Sequence, residues 1–166
     1  MNKNIIFGLG GFGINFINDI SSIKSDDYSL AVISNLETIN VDNSVEILKL
    51  NSDVTKSIIN ISKKYDSIYI VHGLGGSTSE CIIPIMEELL NENINIICNK
   101  PFNWEGKKRN DLSKEILTKL QTYNIRLKIF DNEKLKSYVG DDESTEKAFE
   151  IHSNVIYEYI GMTPVS

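Results

Sequence analysis

What this 166-residue chain lacks narrows its function before anything it contains. No apolar run approaches the ~18 residues that a membrane-spanning helix needs. The opening Met1-Asn2-Lys3-Asn4 leads into an apolar stretch too brief and too glycine-broken for a signal peptide. A cytoplasmic protein with no membrane span is therefore expected. Positive charge is scarce as well: the net charge is −6, and Lys107-Lys108-Arg109 is too short a basic cluster to reverse it. Binding nucleic acid requires grouped Lys and Arg to neutralise phosphates, so nucleic acid is not an expected partner. Only two cysteines occur, Cys81 and Cys98, and they form no metal-ligand spacing. Two reduced, buried thiols are expected rather than a metal centre. The sequence Gly-x-x-x-x-Gly-Lys-[Ser/Thr] is missing, which removes the P-loop NTPases. There is no internal repeat, low-complexity stretch or visible domain boundary, and 41% hydrophobic residues at this length suit one domain.

What is present is an alternation of strand and helix patterns. Residues 5–8 predict a buried strand and 12–20 a helix. Residues 29–34 predict a second strand, 45–50 a short third, and 55–65 a helix with Ile58, Ile59 and Ile61 at helical spacing. A buried strand at 67–72, a helix at 78–91, a strand at 94–98, a helix at 106–123 and a strand at 126–130 follow. A last helix is expected over 145–160, and 21–28 and 140–143 read as surface loops. This order implies an α/β fold, a doubly wound and mostly parallel sheet with helices on both faces. Such sheets bind ligands at the carboxyl ends of their strands.

Two glycine-rich turns fall at that edge. The first, Gly8-Leu9-Gly10-Gly11-Phe12-Gly13-Ile14-Asn15, joins the first strand to a helix; the second, Gly73-Leu74-Gly75-Gly76-Ser77-Thr78, follows another buried strand. Bare N–H groups at such turns can receive an anion, and two in one domain suggest a phosphate-binding edge. Residues 8–13 also satisfy Gly-x-Gly-x-x-Gly loosely. In that dinucleotide reading Glu37, slightly late, would hold a ribose, and the second turn stays unexplained.

The chain at this point resembles the tubulin/FtsZ superfamily, and FtsZ in particular. Gly8 to Asn15 is similar to the family's Gly-Val-Gly-Gly-Gly-Gly-Gly-Asn turn. Gly75-Gly76-Ser77-Thr78-Ser79-Glu80-Cys81, with Pro84 following, matches part of its Gly-Gly-Gly-Thr-Gly-Thr-Gly signature. Lys100-Pro101-Phe102-Asn103-Trp104-Glu105-Gly106-Lys107-Lys108-Arg109 follows the Lys-Pro-Phe-x-Phe-Glu-Gly-x-x-Arg segment with one aromatic exchanged. Asn132-Glu133-Lys134-Leu135 resembles Asn-Asp-Lys-Leu, and Ala148-Phe149 resembles the Ala-Phe that begins the central helix. The five motifs keep the family's order. They cover nearly the whole chain but only the first half of an FtsZ.

The resemblance implies a guanine-nucleotide site for GTP or GDP, with magnesium as an open addition. Gly10, Gly11, Phe12 and Asn15 would come from the first turn, and Gly75, Gly76, Ser77, Thr78 and Ser79 from the second. Glu105 and Arg109 would touch ribose and phosphate; their (i, i+4) spacing equally makes an ordinary surface ion pair. Pro101 and Phe149 would flank the base, while Asn15, Asn132 and Asn154 would face its polar edge. The plainer alternatives are core packing for Phe149 and turns or caps for the asparagines. Several residues depart from the family. Asn154 stands where the family has Asp and offers one acceptor in place of two, so guanine selectivity should fall. Phe12, Ile14, Ser79 and Cys81 replace glycines. Glu80 replaces a threonine, and its carboxylate ~4 Å from a phosphate would cost about 4 kcal/mol at an effective dielectric of 20. It must point away, hold a cation, or fill the phosphate's place.

Neither the family's γ-phosphate-sensing glycine-alanine loop nor its second domain is recognisable, so hydrolysis by this chain alone is not expected. One expected role is a regulator or assembly partner in a cytoskeletal or cell-division system, docking on an FtsZ-like protein. A second is a GTPase completed in trans by a partner's acidic loop. A third is a non-binding relic that assembles, as a homo-oligomer for instance, through the last helix. There Ala148, Ile151, Val155 and Tyr159 form one stripe beside Phe149, Ile156 and Ile160, unless Tyr157, Tyr159 and Ile160 fold back on the core.

Overall fold

A computed structural model describes residues 4–22, 27–35, 39–76, 78–89, 93–137 and 144–162. Six parallel strands form one sheet: β1 (Asn4–Leu9), β2 (Tyr28–Ser34), β3 (Glu46–Lys49), β4 (Ser67–Gly73), β5 (Ile94–Lys100) and β6 (Arg126–Asp131). Their spatial order is β3-β2-β1-β4-β5-β6. Among the described residues the α-helices are α1 (Gly10–Ile20), α2 (Val54–Ser62), α3 (Ile82–Leu89), α4 (Lys107–Leu120) and α5 (Thr145–Met162). The expected α/β class and alternation hold.

Strand periodicity divides the core into two. Ile5, Phe7 and Leu9 of β1 point to one side, where they pack with Val54 and Ile58 of α2, Ile85 and Met86 of α3, and Ile116 and Leu120 of α4. Ile6 points to the other, with Leu30 and Val32 of β2, Ile17 of α1 and Ile156 of α5. Every second side chain changes face, so a strand buried on both faces must be apolar throughout, as β1 and β4 nearly are. On the α1 side, a Cβ at Gly8 would lie 2.7 Å from Ile17 Cγ1. Glycine there lets α1 lie close against the sheet.

The differences from expectation have local causes. The helix expected over 78–91 begins as a 3₁₀ turn, Ser79–Cys81, with α3 starting only at Ile82. Pro84 has no N–H to bond back to Glu80, which removes one α-helical link at that start. Helix α4 starts at Lys107, because Gly106 takes φ 108° and stays outside the helix. Cys98 is buried as expected, whereas Cys81 is only half-buried. Of the expected loop at 21–28, Tyr28 is the first residue of β2; the expected loop at 140–143 lies outside the described residues. On α5, Tyr157 meets Tyr28 edge-on at 5.8 Å, Tyr159 meets Phe130 at 5.9 Å, and Ile160 is buried. These three side chains do fold back onto the core. No helix among the described residues is long and apolar enough to cross a membrane.

Candidate functional site

The strand order reverses at β1, whose neighbours β2 and β4 lead chain segments in opposite directions across the sheet. A crevice forms outside the carboxyl ends at such a point. Here it is a cavity of about 660 Å³, reached by Leu9 at the end of β1, Gly73 at the end of β4, Asn99 near the end of β5 and Asn132 just past β6. That volume suits a nucleotide-sized ligand.

The glycines of the two turns serve different ends. Gly10 (φ 71°) has no room for a side chain, since a Cβ would lie 2.1 Å from Thr78 Oγ1. Gly75 (φ 90°) is pressed on α4, its Cβ position 2.6 Å from the Arg109 carbonyl oxygen. These two build the turns and knit them to their surroundings. Gly11 and Gly76 differ: both line the cavity, neither has a positive φ, and a Cβ on either would meet nothing within 4 Å. Helix α1 begins at Gly10 with no side-chain cap and no acidic residue in its first turn, so its unbonded N–H groups keep their partial positive charge.

The opposite wall comes from the segment after β5. The Phe102 N–H donates to Glu105 Oε2, and Glu105 Oε1 lies 3.6 Å from Arg109 Nη1. Asn110 Nδ2 donates to the Phe102 carbonyl at 3.2 Å and to that of Gly106 at 2.9 Å, tying the segment to α4. The Asn103 N–H reaches Glu133 Oε1 at 2.7 Å. Phe102 stacks on Trp104 (5.1 Å, 18°) and meets Phe149 edge-on at 6.3 Å. Pro101 and Phe149 both face the cavity, as do Glu105 and Arg109.

Phe12, Asn15, Thr78 and Asn132 also line it. Gly10, Gly75 and Ser79 stand behind the lining; Ser79 is buried and its hydroxyl donates to the Gly76 carbonyl at 2.9 Å. Ser77 and Glu37 lie outside the described residues. Glu80 is exposed and absent from the lining, so the carboxylate points away from the hollow. Asn154 is exposed and also absent from the lining. The reason is helical pitch. Phe149 faces the cavity, and the residue one turn later on the same side is Ser153, four along, not Asn154, five along.

Of the lining residues that the sequence does not single out, three stand out. Asn99 is buried within an otherwise apolar strand end, and its Oδ1, like that of Asn132, has no hydrogen-bond partner among the described residues. Buried polar atoms are rarely left so, and both of these residues line the same cavity. A lone Asn closing a buried strand beside Lys100-Pro101 was the available signal. The other two are Asp19 and Ser153, paired across α1 and α5: the Ser153 hydroxyl donates to Asp19 Oδ2 at 2.6 Å. Burial, with help from Glu150 and Glu146, raises the Asp19 carboxyl above its ordinary range, while the Ser153 bond pulls it down. Their signal was the helical spacing of Gly11, Asn15, Asn18 and Asp19.

Below the cavity floor, Cys98 Sγ and His72 Nε2 are 3.2 Å apart on β5 and β4. Burial pushes the thiol up and lowers the imidazole to about 4. Both groups are neutral near pH 7, so they form a core contact and not a thiolate nucleophile.

Sequence comparison finds curated relatives along almost the whole chain. The cell division protein FtsZ of Buchnera aphidicola subsp. Acyrthosiphon pisum is 26% identical over 176 residues, covering 91% of this chain and 46% of that protein. The FtsZ of Coxiella burnetii is also 26% identical, over 91% of this chain and 45% of its own length. Among solved structures, the FtsZ dimer of M. jannaschii superposes with TM-score 0.74 at 20% identity, over 96% of this chain and 53% of that one. Over about nine-tenths of its length the chain is thus similar in sequence to FtsZ. It spans about half the length of the curated FtsZ relatives it matches. GDP-bound CetZ1 from Haloferax volcanii has TM-score 0.66 at 14% identity, over 96% of this chain and 59% of its own. A short-chain dehydrogenase/reductase from Veillonella parvula, solved with NADP, also reaches 0.66, at 11% identity over 99% of this chain and 89% of its own. These structural likenesses show the fold, and the similarity to FtsZ comes from the sequence. No protein-family model matches.

Proposed function

We propose that the cavity binds a guanine nucleotide, GDP or GTP, in an FtsZ-like module serving a cell-division or cytoskeletal system. The observation that carries the reading is the pair Gly11 and Gly76. Each belongs to a different glycine-rich turn, neither is required by packing or by φ, and both leave open space on the same cavity. A diphosphate would lie between them on the first-turn N–H groups of α1, with Arg109 supplying the nearby positive charge. The base would lie toward Pro101 and Phe149, and the orphaned oxygens of Asn99 and Asn132 would gain donors. Among the described residues no group of three or more His, Cys, Asp or Glu is placed to hold a metal. Magnesium, if it takes part, would come on the phosphates. CetZ1, which shares this fold, was solved with GDP bound.

Trp104 is the sole tryptophan, is 76% exposed and stacks on Phe102, which touches Phe149. Its fluorescence should therefore change on titration with GDP or GTP, with matching heat in calorimetry. No change and no heat at millimolar nucleotide would end this reading. In its cellular setting the module is proposed to act as an assembly partner of an FtsZ-like protein. Light scattering of FtsZ assembly should then fall when the protein is added in equimolar amount, and an unchanged trace would remove that role.

A further inference from the structure

Resting on the nucleotide reading, the geometry points to Asp19, positioned by Ser153, as the residue that selects guanine over adenine. Guanine presents two donors side by side, N1–H and the 2-amino group, whereas adenine presents an acceptor and a C–H there. A carboxylate matches the first edge and repels the second. The family resemblance expects that acceptor on the last helix, at Asn154, but this residue is exposed and off the cavity.

Among the described residues three carboxylates reach the lining: Glu105, Glu146 and Asp19. Glu105 is taken up by the Phe102 N–H and faces Arg109. Glu146 is exposed in the first turn of α5, where water competes for it. Asp19 is half-buried and fixed, its Oδ2 held at 2.6 Å by Ser153. Ser153 stands one helical turn beyond Phe149, so the pair sits beside the ring proposed to stack the base. Helix α1 supplies the distance. Gly11, Asn15, Asn18 and Asp19 share one face of it and all line the cavity. From Gly11 to Asp19 is about 12 Å along the axis at 1.5 Å per residue, comparable with an extended nucleoside diphosphate. The uncapped, positive helix start takes the phosphates, and the carboxylate near the other end takes the base. Glu146 and Glu150, which raise the Asp19 carboxyl, make that end hostile to phosphate and so fix the polarity of binding.

The test compares GDP, IDP and ADP by Trp104 fluorescence with the full 166-residue chain, IDP being the guanine nucleotide without its 2-amino group. Wild type should bind GDP best. Asp19→Asn should lower the GDP:ADP ratio about 10- to 100-fold, the worth of one good bidentate base contact, and should no longer separate GDP from IDP. Its ADP binding, held or improved, shows that the fold and phosphate site survive. Ser153→Ala should give a smaller loss in the same ratios, restored by Ser153→Thr, and carries the test if Asp19→Asn does not fold. Wild-type ratios in both Asp19→Asn and Ser153→Ala overturn the assignment, as does a wild type preferring ADP; the nucleotide reading survives either. A wild type that binds none of the three overturns both.

Discussion

The side-chain oxygen of Thr78 occupies the place where a Cβ on Gly10 would stand, 2.1 Å away. The first and second glycine-rich turns, some sixty residues apart in sequence, are thereby one packed unit. Their alignment beside a common cavity follows from that contact and from the parallel pairing of β1 with β4, which sets Leu9 against His72.

Substitution at the knitting glycines should damage the fold. Gly10→Ala and Gly75→Ala each place a side chain at positive φ and drive it against Thr78 or the Arg109 backbone. Such strain costs about 1–3 kcal/mol apiece. Thermal unfolding should fall by several degrees for each; a melting temperature equal to wild type would show that the turns relax freely.

Gly11→Ala and Gly76→Ala should behave in the opposite way. Their new methyl groups enter open space, so stability should stay level or rise by up to about 1 kcal/mol. Nucleotide binding should weaken strongly, because the methyl groups project where the phosphates approach. Unaltered GDP affinity in both variants would separate these positions from any ligand.

These two classes of glycine were not distinguishable in the sequence. Strand and helix order was legible because apolar periodicity reports burial directly, and the doubly wound sheet followed from it. The two turns and the Lys100–Arg109 segment were legible because their backbone demands glycine, proline and a charged pair at fixed spacing. Which glycine faces a neighbour and which faces space depends on the Gly10–Thr78 and Gly75–Arg109 contacts, made by residues distant in the chain. The exchange of Asn154 for Ser153 on the cavity wall has a subtler cause. Motif matching aligns letters, and one residue of offset turns a side chain by ~100° about the axis. Asn99, Asp19 and Ser153 escaped notice because a single polar residue gains meaning only when the cavity beside it is known.

Acid should destabilise the protein through its two histidines. His72 and His152 are buried, which lowers both imidazoles to about 4, from an ordinary 6.5. Between those values the unfolded chain binds protons that the folded one refuses. Stability is therefore complete above about pH 6.5, declines as pH falls toward 4, and levels off below, at a total on the order of 3 kcal/mol per histidine. Asp19, raised by burial, works weakly in the other direction. Chemical denaturation across this range should show the decline. His152→Phe, placed edge-on to Phe12 and Phe130, should flatten it by part; an unaltered slope would mean that His152 is protonated without cost.

The Glu105–Arg109 pair should matter for ligand and hardly at all for folding. Both partners reach water, Arg109 more than Glu105, and they stand 3.6 Å apart. Pairs of this kind contribute about 0.2–0.5 kcal/mol. Arg109→Ala should hence leave the denaturation midpoint almost unmoved while reducing GDP affinity, and raised salt should reduce wild-type affinity toward that of the variant. Equal affinity for wild type and Arg109→Ala at low salt would exclude Arg109 from the phosphate contact.

Phe149 offers the sharpest separation of a stacking platform from a core residue. It is half-buried, its ring stands nearly perpendicular to that of Phe102, and it lines the cavity. An aromatic ring stacked on a base contributes about 1–3 kcal/mol per base, by comparison with other nucleotide-stacking sites. Phe149→Ala should thus weaken GDP and ADP alike by about 5- to 150-fold, since every base has a face to stack. Phe149→Tyr should recover most of the loss and Phe149→Leu, of similar bulk but without the ring, should not. If Leu rescued binding as well as Tyr, the ring would be acting by volume alone and the base would lie elsewhere in the cavity.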